Sequence, residues 1–444
     1  MRWSKLRDLL SLLFLSFFIS FSAFADEPAR PAATPVPDST PGTPPALTPP
    51  PAAKKDPAGW DGSHFYLSTP YGNFTFQPYG YVQTDFRVYT GDGVPSNTFT
   101  IRRARLGFQG KLDKYYEFAF LGDLVDSGST LLRDAYVNIN YIREFQFTIG
   151  QMIEPFGQEA ASFSASNIDY VERGLTSLLY PSANGAFRSP GAMVHGDLAG
   201  GVFSYWLGAF NGKGLLAANT TNQPEVIGRI RIYPFKSGDN TMLQGLAVGG
   251  AIGEGRSRAL SNELSFSGFT PERSFSFFPQ LPINGEIRRY NAEMTWTAGP
   301  AALRAEYDRL LQNRDSLSDG YGDLGKVRAW GYTISASWLL TGEKRPENAP
   351  PKANAPLFRG GFGAWEVKAR YSYLTSEADG DQYSPDRRYK NSVDLISGGV
   401  NWYLTSTVKY NVDLNLYRTK DAATVSGAPP QTFVVLLQRI QFRF

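Results

Sequence analysis

From Phe74 onward the chain alternates apolar and polar positions with a period of two. That period sets residues i and i+2 on one face of an extended strand. The alternation comes in segments at about 74–90, 98–112, 115–125, 131–142, 144–154, 190–199, 201–212, 223–235, 242–254, 286–297, 300–312, 325–340, 360–376, 391–404, 408–420 and 432–444. These segments predict an all-β fold, a transmembrane antiparallel β-barrel of about 16 strands. The connections agree. Asp113-Lys114, Arg143, Gly200, Ala298-Gly299 and Thr405 to Thr407 are very short turns, whereas 155–189 and 255–285 are long. Short turns at one end and long loops at the other are the layout of an outer-membrane barrel, with the short turns periplasmic. Residues 341–359 break the pattern, since they fall at the periplasmic end yet are long. An even strand number returns both chain ends to the periplasm.

Parity assigns the faces. On the second strand Arg103, Arg105, Gln109 and Lys111 share one side, and Ala104, Leu106, Phe108 and Leu112 the other. An Arg or Lys facing lipid at mid-depth costs ~2–4 kcal/mol, so the first side is expected to face the lumen. The same reading turns Arg229, Arg231, Arg289, Lys368, Arg370, Arg439 and Arg443 inward and places Arg102 on the lipid side. Asp85, Glu117, Asp123, Asp134, Glu293, Glu306, Glu366 and Asp413 also point inward, so each arginine has two readings, as a brace paired to an acid or as an anion contact. The i, i+2 pairs Arg103/Arg105 and Arg229/Arg231 are the leading anion contacts. A guanidinium keeps its charge and presents a fork of donors that suits oxyanions such as phosphate. Rows of such groups select permeating anions by charge.

The 155–189 loop exceeds the ~12–15 residues of an ordinary connection. It is rich in Phe156, Phe163, Tyr170, Leu178, Leu179, Tyr180 and Phe187, which argues against free solvation. It is expected to fold into the lumen as a constriction lined by Glu172, Arg173 and Arg188; the alternative is an external cap. Tyr116, Tyr141, Phe145, Trp296, Trp338 and Trp402 lie beside the expected periplasmic turns and face outward, as an aromatic girdle at the lipid headgroups would. In the last strand Val434, Leu436, Ile440, Phe442 and Phe444 share the outward face. A chain ending on an aromatic after such alternation reads as an assembly signal for the barrel-assembly machinery, with Phe444 as its terminus.

Composition narrows the rest. Residues 1–25 read as a secretory signal peptide, with Arg2, Lys5 and Arg7 before an apolar stretch and Ala23-Phe24-Ala25 as the cleavage site. Residues 26–59 are proline-rich and predict a disordered periplasmic linker, leaving 60–444 for the barrel. There are no cysteines and only two histidines, His64 and His195, so no metal site or cofactor is implied. An enzyme is the competing class, but no Ser-His-acid arrangement stands out, and carboxylate pairs alone carry no glycosidase spacing. The net charge of +3 gives no footprint for nucleic acid. A soluble β-sandwich would show polar outward faces, which these strands lack.

Several pieces of the chain resemble the phosphate-selective porin O/P family. They are Ile101-Arg-Arg-Ala-Arg-Leu-Gly107, Gly150-Gln-Met-Ile-Glu-Pro-Phe-Gly157 with Glu159, Val171-Glu-Arg173, Leu340-Thr-Gly-Glu343, Gly363-Ala-Trp-Glu366 leading to Arg370-Tyr-Ser372, and Gly399-Val-Asn-Trp-Tyr403. The resemblance implies a trimeric porin with a basic lumen in the outer membrane of a Gram-negative bacterium, in which the Arg102-Arg103-Ala-Arg105 cluster helps small anions pass. Phosphate or polyphosphate is the implied solute, and a general diffusion porin of weak ion preference is the alternative. One departure is Ile153, where the family often carries Lys.

Overall fold

The computed structural model describes residues 56–60, 64–125, 132–182, 187–259, 268–279, 281, 283–317, 322–380, 388–422 and 429–444. The expected signal peptide and the proline-rich segment up to residue 55 lie outside the described residues. Two short strands, β1 (Ala58–Trp60) and β2 (Phe65–Ser68), pair with each other and lead into the barrel. Ala58 and Gly59, which composition assigned to the disordered linker, are thus part of a strand.

Sixteen strands follow, in the order the alternation predicted. They are β3 (Thr75–Thr90), β4 (Thr98–Leu112), β5 (Tyr116–Asp123), β6 (Leu132–Ile142), β7 (Phe145–Ile153), β8 (Arg188–Leu198), β9 (Phe203–Phe210), β10 (Glu225–Ile232), β11 (Leu246–Ala259), β12 (Ile283–Ala298), β13 (Ala301–Arg314), β14 (Leu324–Leu339), β15 (Ala364–Asp379), β16 (Arg388–Tyr403), β17 (Val408–Lys420) and β18 (Thr432–Arg443). Each pairs antiparallel with its sequence neighbours, and β18 pairs with β3 from Val434↔Thr90 to Arg443↔Tyr81, which closes the sheet. Closure leaves no strand edge, the condition for a sheet to stand in hydrocarbon.

Burial is inverted relative to a water-soluble protein. Leu106, Ile252 and Leu414 are more than half exposed, while Asp85, Glu366 and Asp413 are fully buried. Along β15 the exposed positions are Trp365, Val367 and Ala369, and the buried ones between them are Glu366, Lys368 and Arg370. In water such a continuous apolar exterior would be a large aggregation-prone surface; in lipid it is the solvated face. The outward faces of the last strand follow the same parity, with Ile440, Phe442 and Phe444 exposed and Val435, Leu437, Arg439 and Gln441 buried.

Aromatic rows mark the two edges of this apolar band. At the short-turn end Trp365 stacks on Trp402 at 5.0 Å, and Tyr115 meets Tyr141 at 5.0 Å. The Trp402 and Trp296 indole N–H groups donate to the carbonyls of Phe362 and Met242, both at 2.7 Å, so each ring is apolar on its body and bonded at its tip. A second row, unforeseen in the sequence, runs across the other end. Tyr307, Tyr332 and Tyr373 stand in register on β13, β14 and β15, with Trp330 against Tyr373 at 5.4 Å. On β15 the two rows are set by Trp365 and Tyr373, about 20 Å apart in height once strand tilt is allowed for.

The closing seam is tight. Gly80 exchanges backbone hydrogen bonds with Phe444, at 3.0 and 3.1 Å, and a Cβ on Gly80 would lie 2.5 Å from the Arg105 carbonyl oxygen and 2.8 Å from the Phe444 ring. Gly80→Val is therefore expected to lower the fraction of heat-modifiable, protease-resistant barrel on refolding into detergent, whereas Gly398→Ala, where a Cβ meets nothing within 4 Å, should leave it unchanged. Equal refolding of the two variants would contradict this seam geometry.

Candidate channel lining and constriction

The basic residues that parity turned inward all stand on the barrel wall, and the structure shows what each one holds. Arg105 donates to Asp123 and to the Tyr81 hydroxyl, both at 2.8 Å. Arg229 meets Glu293 at 2.5 Å, and Arg231 meets Glu293 at 3.8 Å and also bonds Glu347. Both also donate to the Ser162 hydroxyl. Arg289 pairs with Glu225, and Lys111 with Glu117 at 3.2 Å. Arg443 donates to the Ser406 carbonyl at 2.8 Å. The brace reading thus fits Arg105, Arg229 and Arg289, and Glu293 lies between Arg229 and Arg231, so that i, i+2 pair shares a carboxylate.

Residues 154–187 join β7 to β8. They include a short α-helix, Gln158–Ala161, and a 3-10 turn, Leu175–Leu179. Phe156, Phe163, Tyr170, Leu178, Leu179 and Tyr180 are buried, as their composition suggested. Gly157 has a positive φ of 74° and faces the Tyr180 ring so closely that a Cβ would sit 2.2 Å from it. Only glycine fits such a site.

The irregular backbone of this segment is bonded by inward-facing wall side chains. The Ala165 and Ser166 carbonyls accept from Gln83 and Gln441, at 3.1 and 3.0 Å. The Ile168 carbonyl accepts from Lys409 at 3.0 Å, and the Asp169 carbonyl from Lys368 at 2.6 Å and Asn401 at 2.9 Å. The Val171 carbonyl accepts from Arg439, and the Glu172 carbonyl from Arg370 at 2.9 Å. In the other direction the Val171 N–H donates to Asp413 and the Gln158 N–H to Glu306, both at 2.6 Å. Buried peptide groups need such partners. Lys368, Arg370 and Arg439 are therefore engaged by the segment as well as by Asp413, Ser397 and Asp85.

Two carboxylates organise the charges. Glu172 lies 2.7 Å from Arg102, 2.9 Å from Arg439 and 3.7 Å from Arg103. Arg439 also binds Asp85 at 2.6 Å, and Arg87 reaches Asp85 at 3.2 Å. Four guanidiniums thus share two carboxylates. Burial alone would push the Glu172 carboxyl up, but the surrounding Arg102, Arg103 and Arg439 hold it well below the usual range. Asp169 is bonded by Arg304 and Arg345. Burial again opposes its charge, yet Arg304 and Arg345 outweigh it and hold the carboxyl at about 2.

Arg345 belongs to the long segment between β14 and β15 that broke the turn pattern. It also pairs with Glu366 at 2.9 Å, and its neighbour Glu347 pairs with Arg231. Asn167 donates to the Asn348 carbonyl at 3.1 Å. This connection thus joins the same network.

Two sequence assignments are corrected. Arg102 is not on the lipid side. The β3–β4 register slips between Gln83 and Thr84, pairing them with Arg103 and Ile101, so Arg102 is the extra residue of a bulge and its side chain reaches Glu172. Arg188 is the first residue of β8 and not a loop residue; it pairs with Asp134 at 2.7 Å. Arg173 stays in the segment, donating to the Glu159 carbonyl at 2.9 Å and lying over the Phe187 ring at 5.0 Å. A cavity of about 480 Å³ opens beside these groups along β3–β8, lined among others by Gln77, Gln109, Lys111, Glu117, Asn138 and His195.

The sequence pattern of a family described as phosphate-selective porin O and P matches residues 76–444. Among solved structures the chain is similar to an anion-selective porin from Comamonas acidovorans, at 14% identity and a TM-score of 0.55, covering 84% of this chain and 100% of that one. It is also similar to a loop-deletion mutant of OmpT, an outer membrane protein of Vibrio cholerae, at 11% identity and a TM-score of 0.56, covering 84% and 100%. A third is the outer membrane channel DcaP of Acinetobacter baumannii, at 10% identity and a TM-score of 0.52, covering 84% and 98%. No curated protein matches the chain.

The Asp169 junction yields a pH prediction. An aspartate held at about 2, below its ordinary ~3.9, contributes stability that is full above the ordinary value and lost as pH falls through the depressed one. The 154–187 segment should therefore resist protease equally at pH 7 and pH 5.5. Asp169→Asn leaves Arg304 without its carboxylate and Arg345 with Glu366 alone, a change that costs ~3–5 kcal/mol when a buried charge loses its partner, and should expose the segment to cleavage at both pH values. Unchanged resistance in the variant would show that this junction does not hold the segment.

Proposed function

Because the chain belongs to the phosphate-selective porin O and P family, we propose that this outer-membrane porin channel passes small anions by passive diffusion, with phosphate-like oxyanions as the preferred class. The observation that carries this reading is the unequal sharing around Glu172 and Asp85, where Arg87, Arg102, Arg103 and Arg439 meet two carboxylates. The surplus positive charge lies where the 154–187 segment meets the wall. In this reading the segment lies in the lumen as the constriction and brings permeating ions close to the guanidiniums. Proximity matters because water and salt screen a charge over ~8 Å. Guanidinium forks favour oxyanions over chloride through paired hydrogen bonds.

A second reading has a specific observation behind it. The cavity along β3–β8 is lined by amides and hydroxyls together with the apolar Phe118, Met152, Ile153 and Met193, and its Lys111 and Glu117 balance each other at 3.2 Å. A passage of this kind favours general diffusion of polar solutes with weak ion preference. The family and fold are those of a channel rather than an enzyme. We further propose export through a cleaved signal peptide over 1–25, assembly as a homotrimer in the Gram-negative outer membrane, and engagement of the barrel-assembly machinery by the strand ending in Phe444.

Reversal potentials in planar bilayers under a chloride gradient separate the readings. Arg102→Gln/Arg103→Gln keeps hydrogen-bonding capacity and removes two charges. It should lower the anion-to-cation permeability ratio by about twofold or more and weaken block of chloride current by phosphate. An unchanged ratio favours the weakly selective channel and removes the anion reading.

A further inference from the structure

The outer wall of the barrel is not uniform. On β3–β10 and β18 the outward positions of the described residues carry no charge: most are apolar, aromatic or small, with Phe76, Phe99, Phe108 and Phe120 prominent among them, and the polar ones, such as Thr84 and Gln438, are neutral. On β11–β17 the outward face carries charge, and all of it stands at the long-loop end. Arg288, Arg309, Arg328, Arg388, Lys390 and Lys420 are exposed there.

Register fixes their height. Tyr290, Arg309 and Trp330 are direct cross-strand partners, so Arg309 sits within the upper aromatic row. Arg328 stands one outward position higher, opposite Leu311 and Glu377, and Lys390 is the next partner of Glu377. Lys420 is opposite Ser392, which pairs with Thr375, which pairs with Trp330. The row therefore follows the rim of the apolar band and lies immediately above the tyrosines. Acids are interspersed, with Glu254 and Glu286 beside Arg288, Glu377 beside Arg328 and Arg388, Asp379 beside Arg388, and Asp394 opposite Arg418. Although Lys390 stands opposite Glu377, among the described residues no carboxylate lies within salt-bridge distance of Arg309, Lys390 or Lys420, so positive charge is in excess along the arc.

From this placement we infer that the β11–β17 arc is a binding surface for the headgroup of a phosphate-bearing glycolipid in the outer leaflet. Aromatic rings at the band edge hold the acyl–saccharide boundary, where amphipathic rings are favoured. Arginine and lysine just above them meet the phosphates, which lie at the same depth and accept paired guanidinium donors. The charge-free wall of β3–β10 offers no such contact. The inference concerns the outside of the barrel and does not depend on which solute the channel carries.

The test is native mass spectrometry of the refolded chain, titrated with lipid A carrying both phosphates, with the same lipid after enzymatic removal of its phosphates, and with inorganic phosphate. Wild-type barrel should retain the phosphorylated lipid at least about tenfold more tightly than the dephosphorylated one, and inorganic phosphate at millimolar concentration should not displace it. Arg309→Gln/Arg328→Gln/Lys390→Gln/Lys420→Gln should abolish that difference while single-channel conductance stays at the wild-type value, which verifies folding. If the quadruple variant fails to refold, Arg309→Gln/Lys420→Gln is expected to reduce the difference by about half on a logarithmic scale. Equal retention of the two lipids by the wild type, undiminished preference in the variants, or displacement by inorganic phosphate would overturn the assignment.

Discussion

A peptide group in hydrocarbon has no water to bond, so every N–H and C=O on the wall must be paired by the sheet itself. This constraint forces the β18–β3 closure, and closure in turn separates two solvents. Once the sheet is a cylinder, the pleat sends alternate side chains to lipid and to the interior. A one-residue error in register would exchange Arg103 and Arg105 for Leu106 and Phe108, at a cost of several kcal/mol for the charges alone. The Gly80–Phe444 seam, the arginine wall and both aromatic rows follow from that single partition.

The interior then has an electrostatic problem of its own. It contains many buried guanidiniums, and each needs a partner. Some are met strand to strand, as in Arg105 with Asp123 and Arg229 with Glu293. Others are met by Glu172 and Asp169 and by the peptide carbonyls between them. The 154–187 segment and the wall are therefore complementary: the segment supplies acceptors that the basic wall lacks, and the wall supplies donors that an irregular backbone requires. Selectivity, in the proposed reading, is the positive charge left over after this mutual satisfaction.

Much of this was legible in the sequence because period-two alternation is a local property. It placed the strands within a few residues and turned Arg103, Lys368, Arg370 and Arg439 inward. It failed at Arg102 because a bulge changes parity without changing composition, and nothing between Ile101 and Arg105 signals the slip. Arg188 was assigned to the loop because β8 begins two residues earlier than its apolar pattern. The role of Arg345 and Glu347 was invisible because their partners, Asp169 and Arg231, are remote in sequence. The upper aromatic row was missed for a different reason: its tyrosines are scattered over separate strands, and only register aligns them.

The partition between lumen and lipid is the central claim, and the chain's lack of cysteine makes it directly measurable. Gln109 lines the β3–β8 cavity, and the adjacent Phe108 faces outward. Single cysteines at these two positions can be challenged with an impermeant, negatively charged methanethiosulfonate during single-channel recording. The account predicts rapid modification and a stepwise fall in conductance for Gln109→Cys, and no reaction for Phe108→Cys. Modification of Phe108→Cys from the aqueous phase, with Gln109→Cys inert, would contradict the face assignment and the channel lining built on it.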